Sequence, residues 1–91
     1  MKKLNRWNYS EMSKTALLFA LSDLFSSRLF LSQCQVTIFS NVLLIDCPDR
    51  LWDGLSQVGE TLQPQRLEVE RVELWRSGMR WGSMSIDYWL P

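Results

Sequence analysis

The carboxylate cluster whose spacing best suits a metal ion consists of Asp46, Asp49 and Asp53. Asp49 and Asp53 are one helical turn apart, so their oxygens would lie on one helix face and suit Mg²⁺. The same positions also suit simpler roles, because Asp46 ends a strand-like run and Asp49 follows Pro48 at the predicted start of a helix. We favour these structural roles, and we expect neither a metal site nor a cofactor.

Other catalytic arrangements lack essential members. The chain has no histidine, which removes the usual general base and the commonest metal ligand. Its two cysteines, Cys34 and Cys47, supply neither a Cys–His nucleophile nor a four-ligand zinc site. The sequence also has no glycine-rich phosphate-binding loop. We therefore expect a protein that is not an enzyme.

Aromatic and cationic residues concentrate in the last quarter of the chain. Strand-like runs over 67–76 and 79–89 flank the pair Ser77-Gly78, which predicts a β-hairpin. Three of the five tryptophans lie on this hairpin, so it must either complete a core or bind a partner. The candidate interface residues are Trp75, Arg76, Met79, Arg80 and Trp81.

Two geometries fit this hairpin. Counting outward from the turn pairs Leu74 with Trp81, and in that regular register the apolar residues change face about halfway along both strands. A β-bulge near Arg71 or Gly82 would restore a single apolar face, and glycine is a common residue at bulges. Alternatively, a long twisted ribbon packs its base on the domain and presents its tip to a partner. The anchors of that ribbon would be Trp75, Met79 and Trp81.

Two functions are consistent with the hairpin. The first is a non-enzymatic interaction or assembly module, which self-associates or docks on a larger complex, since Trp, Met and Arg are enriched at interfaces. The second is weak binding of single-stranded nucleic acid, with bases stacked on Trp75 and Trp81 and phosphates paired with Arg76 and Arg80. Trp75 and Arg80 are predicted to be cross-strand neighbours. A formal net charge of zero opposes the second function, so we favour a protein partner or a homo-oligomer.

The predicted elements follow the order α-β-β-α-β-β. Asn8 and Glu11 have the spacing of a helix cap, and an apolar stripe with helical periodicity runs from Met12 to Phe25. That helix is predicted to end at Ser26-Ser27. A second helix begins after Pro48 and ends at Pro64, and its helical periodicity places Trp52 in the buried stripe. The expected fold is a two-layer α+β sandwich, with two helices on one face of a mostly antiparallel sheet.

A first hairpin is predicted from the strand-forming runs 35–39 and 42–46, which flank Ser40-Asn41. A two-residue loop there would place Cys34 directly opposite Cys47, at a distance that a disulfide tolerates. The pair is either a disulfide or two small apolar thiols. We favour thiols, because nothing else in the sequence indicates an oxidising compartment.

The whole chain of 91 residues is expected to form one domain over 1–91, with residues 1–7 as a flexible basic N-terminus. The basic start and apolar run look like a signal peptide, but Glu11 and Asp23 interrupt the pattern and the run is too short to span a membrane. We expect a cytoplasmic protein. Attachment to a membrane surface is a weaker hypothesis, and it rests on Lys2, Lys3, Arg6 and Trp7.

One segment carries a family resemblance. Residues 41–55 form an apolar strand, a turn at Pro48 and a helix that carries Trp52. This order resembles a stretch in KH-like domains of the replication-initiator N-terminal and helicase-loader type. The resemblance covers about fifteen residues and implies a docking module that handles the replicative helicase or self-associates. The strand predicted over 79–89 is an addition to that family's minimal order.

Overall fold

The computed structural model describes residues 12–88, and its first apolar run forms two helices where one was predicted. Helix α1 spans Lys14–Leu21 and helix α2 spans Phe25–Leu31. The backbone amide of Ala16 donates a hydrogen bond to the Ser13 side chain at 3.1 Å, so Ser13 caps α1. The predicted cap formed by Asn8 and Glu11, and the basic N-terminus, lie outside the described residues.

The break between α1 and α2 lies at Ser22, whose backbone is extended. The buried Ser22 hydroxyl accepts a hydrogen bond from the amide of Leu24, and the Arg28 guanidinium donates to the Ser22 carbonyl at 3.0 Å. These bonds compete with helical hydrogen bonds at Ser22 and so stabilise the break between the two helices. The predicted helix end at Ser26-Ser27 is therefore wrong, since both serines lie inside α2. Restarting the helix also leaves Phe25 69% exposed instead of buried.

The first hairpin is confirmed with its predicted register. Strand β1 spans Gln35–Phe39 and strand β2 spans Val42–Cys47, and their antiparallel pairing joins Phe39 to Val42. Ser40 and Asn41 both have positive φ, 51° and 65°, which is the conformation of a type I′ turn. The twist of that turn matches the twist of the strands, so a two-residue loop suffices.

The predicted second helix is shorter and less regular than its apolar spacing indicated. A 3₁₀ helix over Asp49–Gly54 leads into helix α3 over Leu55–Gly59. Pro64 starts a further 3₁₀ turn, Pro64–Leu67. Glu68 then adopts the left-handed conformation with φ 56°, and the chain turns into strand β3.

The sheet has the strand order β1-β2-β3-β4 and is mostly antiparallel, as predicted for an α+β domain. Strand β3 spans Arg71–Arg76 and strand β4 spans Met79–Ser85. Only the β2–β3 pair is parallel, and residues 48–70 make the crossover. Both strands of the second hairpin are shorter than predicted, because Leu67 belongs to a 3₁₀ turn and Ile86–Tyr88 form another; Trp89 lies outside the described residues.

Burial alternates along β2, which lies between β1 and β3. Leu43, Ile45 and Cys47 are fully buried, whereas the residues between them are half-buried. We call the sheet face that carries these three residues the inner face, and its opposite the outer face. The helical residues buried with them are Leu17, Leu18, Leu21, Leu31 and Leu55.

Candidate functional site

The second hairpin contains a one-residue bulge near its turn. Trp75 pairs with Arg80, as predicted, but the next residue, Leu74, pairs with Gly82. Trp81 is therefore the extra residue of β4, and the predicted pairing of Leu74 with Trp81 is wrong. A bulge at this position explains the change of apolar face that the regular register produced. The turn itself is where it was predicted, with φ values of 48° at Ser77 and 84° at Gly78.

The pairing divides the five candidate interface residues between two faces. Arg76 lies beside the buried Cys47, and Met79 lies opposite Arg76, so both belong to the inner face. Trp81, the extra residue of the bulge, contacts Trp52 and therefore lies on the same side. By contrast, Trp75 and Arg80 face each other on the outer face. The structure thus brings Arg76, Met79 and Trp81 together and separates them from the other pair.

Trp81 contacts a tryptophan from the crossover segment. The rings of Trp52 and Trp81 have centroids 5.1 Å apart and are tilted by 57°, within the range of favourable aromatic pairs. The guanidinium of Arg76 lies 5.4 Å from the centroid of the Trp52 ring. Trp81 nevertheless remains 64% exposed, so this contact covers only part of its surface.

The two tryptophans line one side of an apolar groove of about 490 Å³. On α3, Ser56 and Gly59 are three residues apart and line the groove with little or no side chain, which leaves the space between helix and sheet unfilled. The only charged residue among the lining residues is Glu60. We call this feature the aromatic groove, and its lining residues are Ile45, Trp52, Leu55, Ser56, Gly59, Glu60, Leu62, Leu74, Trp81, Met84 and Tyr88.

The turn of the second hairpin is tied to the end of β2. The Ser77 amide donates to the Cys47 carbonyl at 2.9 Å, and the Gly78 amide donates to Asp46 Oδ1 at 3.0 Å. The Asp49 amide donates to Ser77 Oγ at 3.0 Å, and the Asp49 carboxylate accepts from Arg76 Nε in an ion pair. These bonds hold the strand ends that position Trp81.

The same bonds assign roles to two of the carboxylates that were considered for a metal site. Asp46 accepts the turn amide and Asp49 pairs with Arg76 in the first turn of a helix. Asp53 is exposed. Within residues 12–88 no group of three histidine, cysteine or acidic side chains is arranged to hold a metal ion.

Cys34 and Cys47 lie opposite each other beyond the last pair of the first hairpin, as its predicted register requires. Their sulfur atoms are 3.1 Å apart as free thiols, and both residues are buried. Burial raises the pKa of the Cys34 thiol, and burial together with the neighbouring Cys34 raises the pKa of Cys47 to about 12.

Trp75 has a different environment from Trp81. Its indole Nε1 donates to Glu73 Oε1 at 3.0 Å, and it lies between Asp46 and Arg80 in the sheet. Two acidic residues, Glu73 and Asp46, therefore neighbour Trp75 on the outer face. The four residues proposed for nucleic-acid stacking, Trp75, Arg76, Arg80 and Trp81, do not form one surface.

Sequence reasoning missed Trp52 as a site residue. Helical periodicity assigned it to the buried stripe of the second helix, but it is half-buried and lines the groove. A usable signal was present, since Ser56 and Gly59, which are three residues apart, follow Trp52 closely. Small residues at helical spacing leave an adjacent aromatic ring uncovered.

Comparison with known proteins gives no relative for this chain: no family model matches it, and neither a curated protein nor a solved structure is significantly similar. Among the helices described between residues 12 and 88, none has the length and apolar character needed to cross a bilayer.

Proposed function

We propose that this domain is a non-enzymatic protein-interaction module and that its aromatic groove binds a segment of a partner protein. The observation that carries the proposal is the contact between the half-buried Trp52 and the exposed Trp81, which together line an apolar groove. Tryptophan contributes more binding free energy at interfaces than most residue types. A volume of about 490 Å³ lies within the range of sites that enclose most of a bound group.

The groove's chemistry defines the partner segment. Its walls are apolar apart from Ser56, Glu60 and the Tyr88 hydroxyl, so the occupant must present bulky apolar side chains. Glu60 is exposed and is the only charged lining residue, so a cation beside those side chains complements the groove. We therefore infer a segment in which a large apolar or aromatic residue neighbours Lys or Arg.

The wider expectations from the sequence belong to this proposal. Residues 41–55, which resemble the KH-like docking domains, supply strand β2, the 3₁₀ helix and Trp52. That placement supports a docking role in which the helices form one layer against the inner face of the sheet. We infer a cytoplasmic location for such a module.

Selection of random peptides on the purified protein tests the proposal. We expect enriched peptides to pair a bulky apolar residue with a cation. Their affinity should fall roughly thirtyfold or more in Trp81→Ala, as for the truncation of an interface anchor. Phe25→Ala is the matched control, because Phe25 is 69% exposed on α2 and does not line the groove.

Two results would contradict the partner-segment proposal. One is a selection that yields no enriched peptide, and the other is equal binding by wild type and Trp81→Ala. Sedimentation velocity of both proteins identifies the remaining occupant. A dimer that Trp81→Ala dissociates would mean that a second copy of the chain fills the groove.

Binding of single-stranded nucleic acid is the second candidate, and the observation that favours it is the Trp75–Arg80 pair on the outer face. A base stacked on Trp75 beside the Arg80 guanidinium would quench indole fluorescence, and salt would reverse the effect. Glu73 and Asp46 lie next to Trp75 and repel phosphate. Titration with oligothymidylate at low salt decides this candidate, and unchanged fluorescence rejects it.

A further inference from the structure

Cys34 and Cys47 are positioned for a reaction that the interaction function does not require. The two sulfur atoms are 3.1 Å apart, and the residues face each other at the open end of the first hairpin, next to the Gln35–Asp46 pair. Hydrogen-bonded and non-hydrogen-bonded pairs alternate along an antiparallel ladder, and counting from the turn makes Cys34 and Cys47 a non-hydrogen-bonded pair. The facing Cα atoms of such a pair are close enough for a disulfide. Bond formation therefore requires the sulfurs to move together by only about 1 Å.

We propose that Cys34 and Cys47 form a reversible redox pair, whose disulfide fastens the base of the first hairpin and, through Cys47, the turn of the second. Other parts of the chain hold both cysteines in position. Cys34 lies three residues after the end of α2, and the Lys14 ammonium donates to the Cys34 carbonyl at 2.5 Å and to the Ser32 carbonyl at 2.9 Å. Cys47 lies at the end of β2, between two neighbouring strands.

Both cysteines are buried, but Cys34 retains 3% exposure whereas Cys47 has none. Cys34 borders a shallow depression of about 320 Å³, which Lys14 and Gln35 also line, whereas Cys47 does not line it. A small oxidant therefore reaches Cys34 first. Burial raises the pKa of the Cys34 thiol, and the charge of the nearby Lys14 ammonium, which favours the reactive thiolate, offsets only part of that rise.

Hydrogen peroxide is an oxidant small enough for this depression. The Cys34 thiolate attacks one peroxide oxygen, the O–O bond breaks, and the other oxygen leaves as water after taking up a proton. The Cys47 sulfur then attacks the sulfur of the resulting sulfenic acid, and a second water leaves with the Cys47 proton. The two thiols lose two electrons and two protons in total, and one peroxide is reduced to two waters. A dithiol reductant reverses the bond by exchange.

The disulfide should also affect the turn of the second hairpin, through hydrogen bonds to the end of β2. The Cys47 carbonyl accepts from the Ser77 amide, and the adjacent Asp46 carboxylate accepts from the Gly78 amide. Cross-linking Cys47 to Cys34 reduces the freedom of the strand end that holds both acceptors. We therefore expect oxidation to slow local opening of the Ser77-Gly78 turn.

The test uses the full-length protein treated with hydrogen peroxide and digested with trypsin under non-reducing conditions. Both cysteines fall in one peptide, 29–50, because no Lys or Arg lies between Arg28 and Arg50. We expect this peptide to lose about 2 Da, the mass of two hydrogens, and to regain it with dithiothreitol. Hydrogen exchange at the Ser77 amide should be roughly threefold slower or more in the oxidised protein.

Cys34→Ala is the control and should show neither the mass loss nor the change in exchange. Three results would overturn the proposal. The first is oxidation of Cys34 to sulfinic acid with Cys47 left reduced. The second is a disulfide between two chains, and the third is an exchange rate at Ser77 that oxidation does not change.

Discussion

Leu74 lies opposite Gly82 in the β3–β4 ladder, and not opposite Trp81. This offset of one residue decides what the hairpin presents. Without it, Trp81 would occupy the position of Gly82 in the ladder, and every later residue of β4 would change face. With it, Met84 lies on the inner face and packs against the core, while Trp81 contacts Trp52. Because the residue opposite Leu74 is Gly82, no side chain fills that position on the inner face.

Filling the position opposite Leu74 should block the aromatic groove while leaving Trp81 in place. No atom lies within 4 Å of a Cβ built at Gly82, and Leu74 lines the groove. We expect Gly82→Leu to bind the selected peptides at least tenfold more weakly, measured by isothermal titration. Ser83→Leu is the matched control, because Ser83 pairs with Glu73 on the outer face. Equal affinities for the two variants would mean that the groove is not the binding site.

The two hairpins show which parts of the sheet the sequence determines. Both turns were predicted correctly, because Ser-Asn and Ser-Gly pairs between strand-forming runs suit positive φ. The register of β1 and β2 follows from counting outward from such a turn. Counting failed in β3 and β4, because a bulge adds a residue at a point that turn chemistry does not specify. The alternation of apolar residues is consistent with a bulge, but it does not distinguish Arg71 from Gly82 as the position of that bulge.

The helices, by contrast, depend more on contacts between distant residues than on local sequence. Apolar spacing from Met12 to Phe25 predicted one helix, but the break at Ser22 depends on a hydrogen bond from Arg28, six residues later in sequence. Local periodicity does not contain that contact. For the same reason helical periodicity does not predict the half-buried state of Trp52, which depends on how much of its surface Trp81 covers.

Substitution by alanine should have opposite effects on the free energy of unfolding at Gly54 and at Gly82. A Cβ on Gly54 would lie 2.9 Å from Cε2 of Phe30, so the half-buried ring must shift, and we expect Gly54→Ala to destabilise the fold by about 1 kcal/mol or more. Intrinsic helix propensity alone would predict a gain of similar size. Gly82→Ala meets no atom and should stabilise by about 0.5 kcal/mol, because alanine restricts the unfolded chain. Urea unfolding monitored by circular dichroism measures both, and a more stable Gly54→Ala would contradict the predicted clash.

A substitution in the turn of the β1–β2 hairpin should stabilise the fold. Ser40 has φ 51°, and asparagine tolerates this left-handed conformation better than serine does. We expect Ser40→Asn to raise the free energy of unfolding by about 0.5 kcal/mol. Ser77→Asn, at the equivalent turn position with φ 48°, should gain less, because the Ser77 hydroxyl accepts a bond from Asp49. A larger gain at Ser77 than at Ser40 in thermal unfolding would refute this explanation.

The buried thiols should make the fold sensitive to alkali. The pKa of Cys47 is raised from an ordinary value near 9 to about 12 in the folded protein, so above pH 9 the folded state keeps a proton that the unfolded state loses. The unfolded state is then favoured as the pH rises. The stabilising contribution is complete below pH 9 and is lost progressively up to about pH 12, with a loss on the order of 1 kcal/mol by pH 10.

Unfolding in urea between pH 7 and pH 10.5, in the presence of a reductant, measures this loss. Cys47→Ala removes the titrating group, so its stability should fall less steeply with pH than that of the wild type. Ser77→Ala is the control for the surrounding structure, because it removes a hydroxyl that is bonded near Cys47 but leaves both thiols in place. Parallel pH profiles for the wild type and Cys47→Ala would show that burial of the thiol does not cause the alkaline loss.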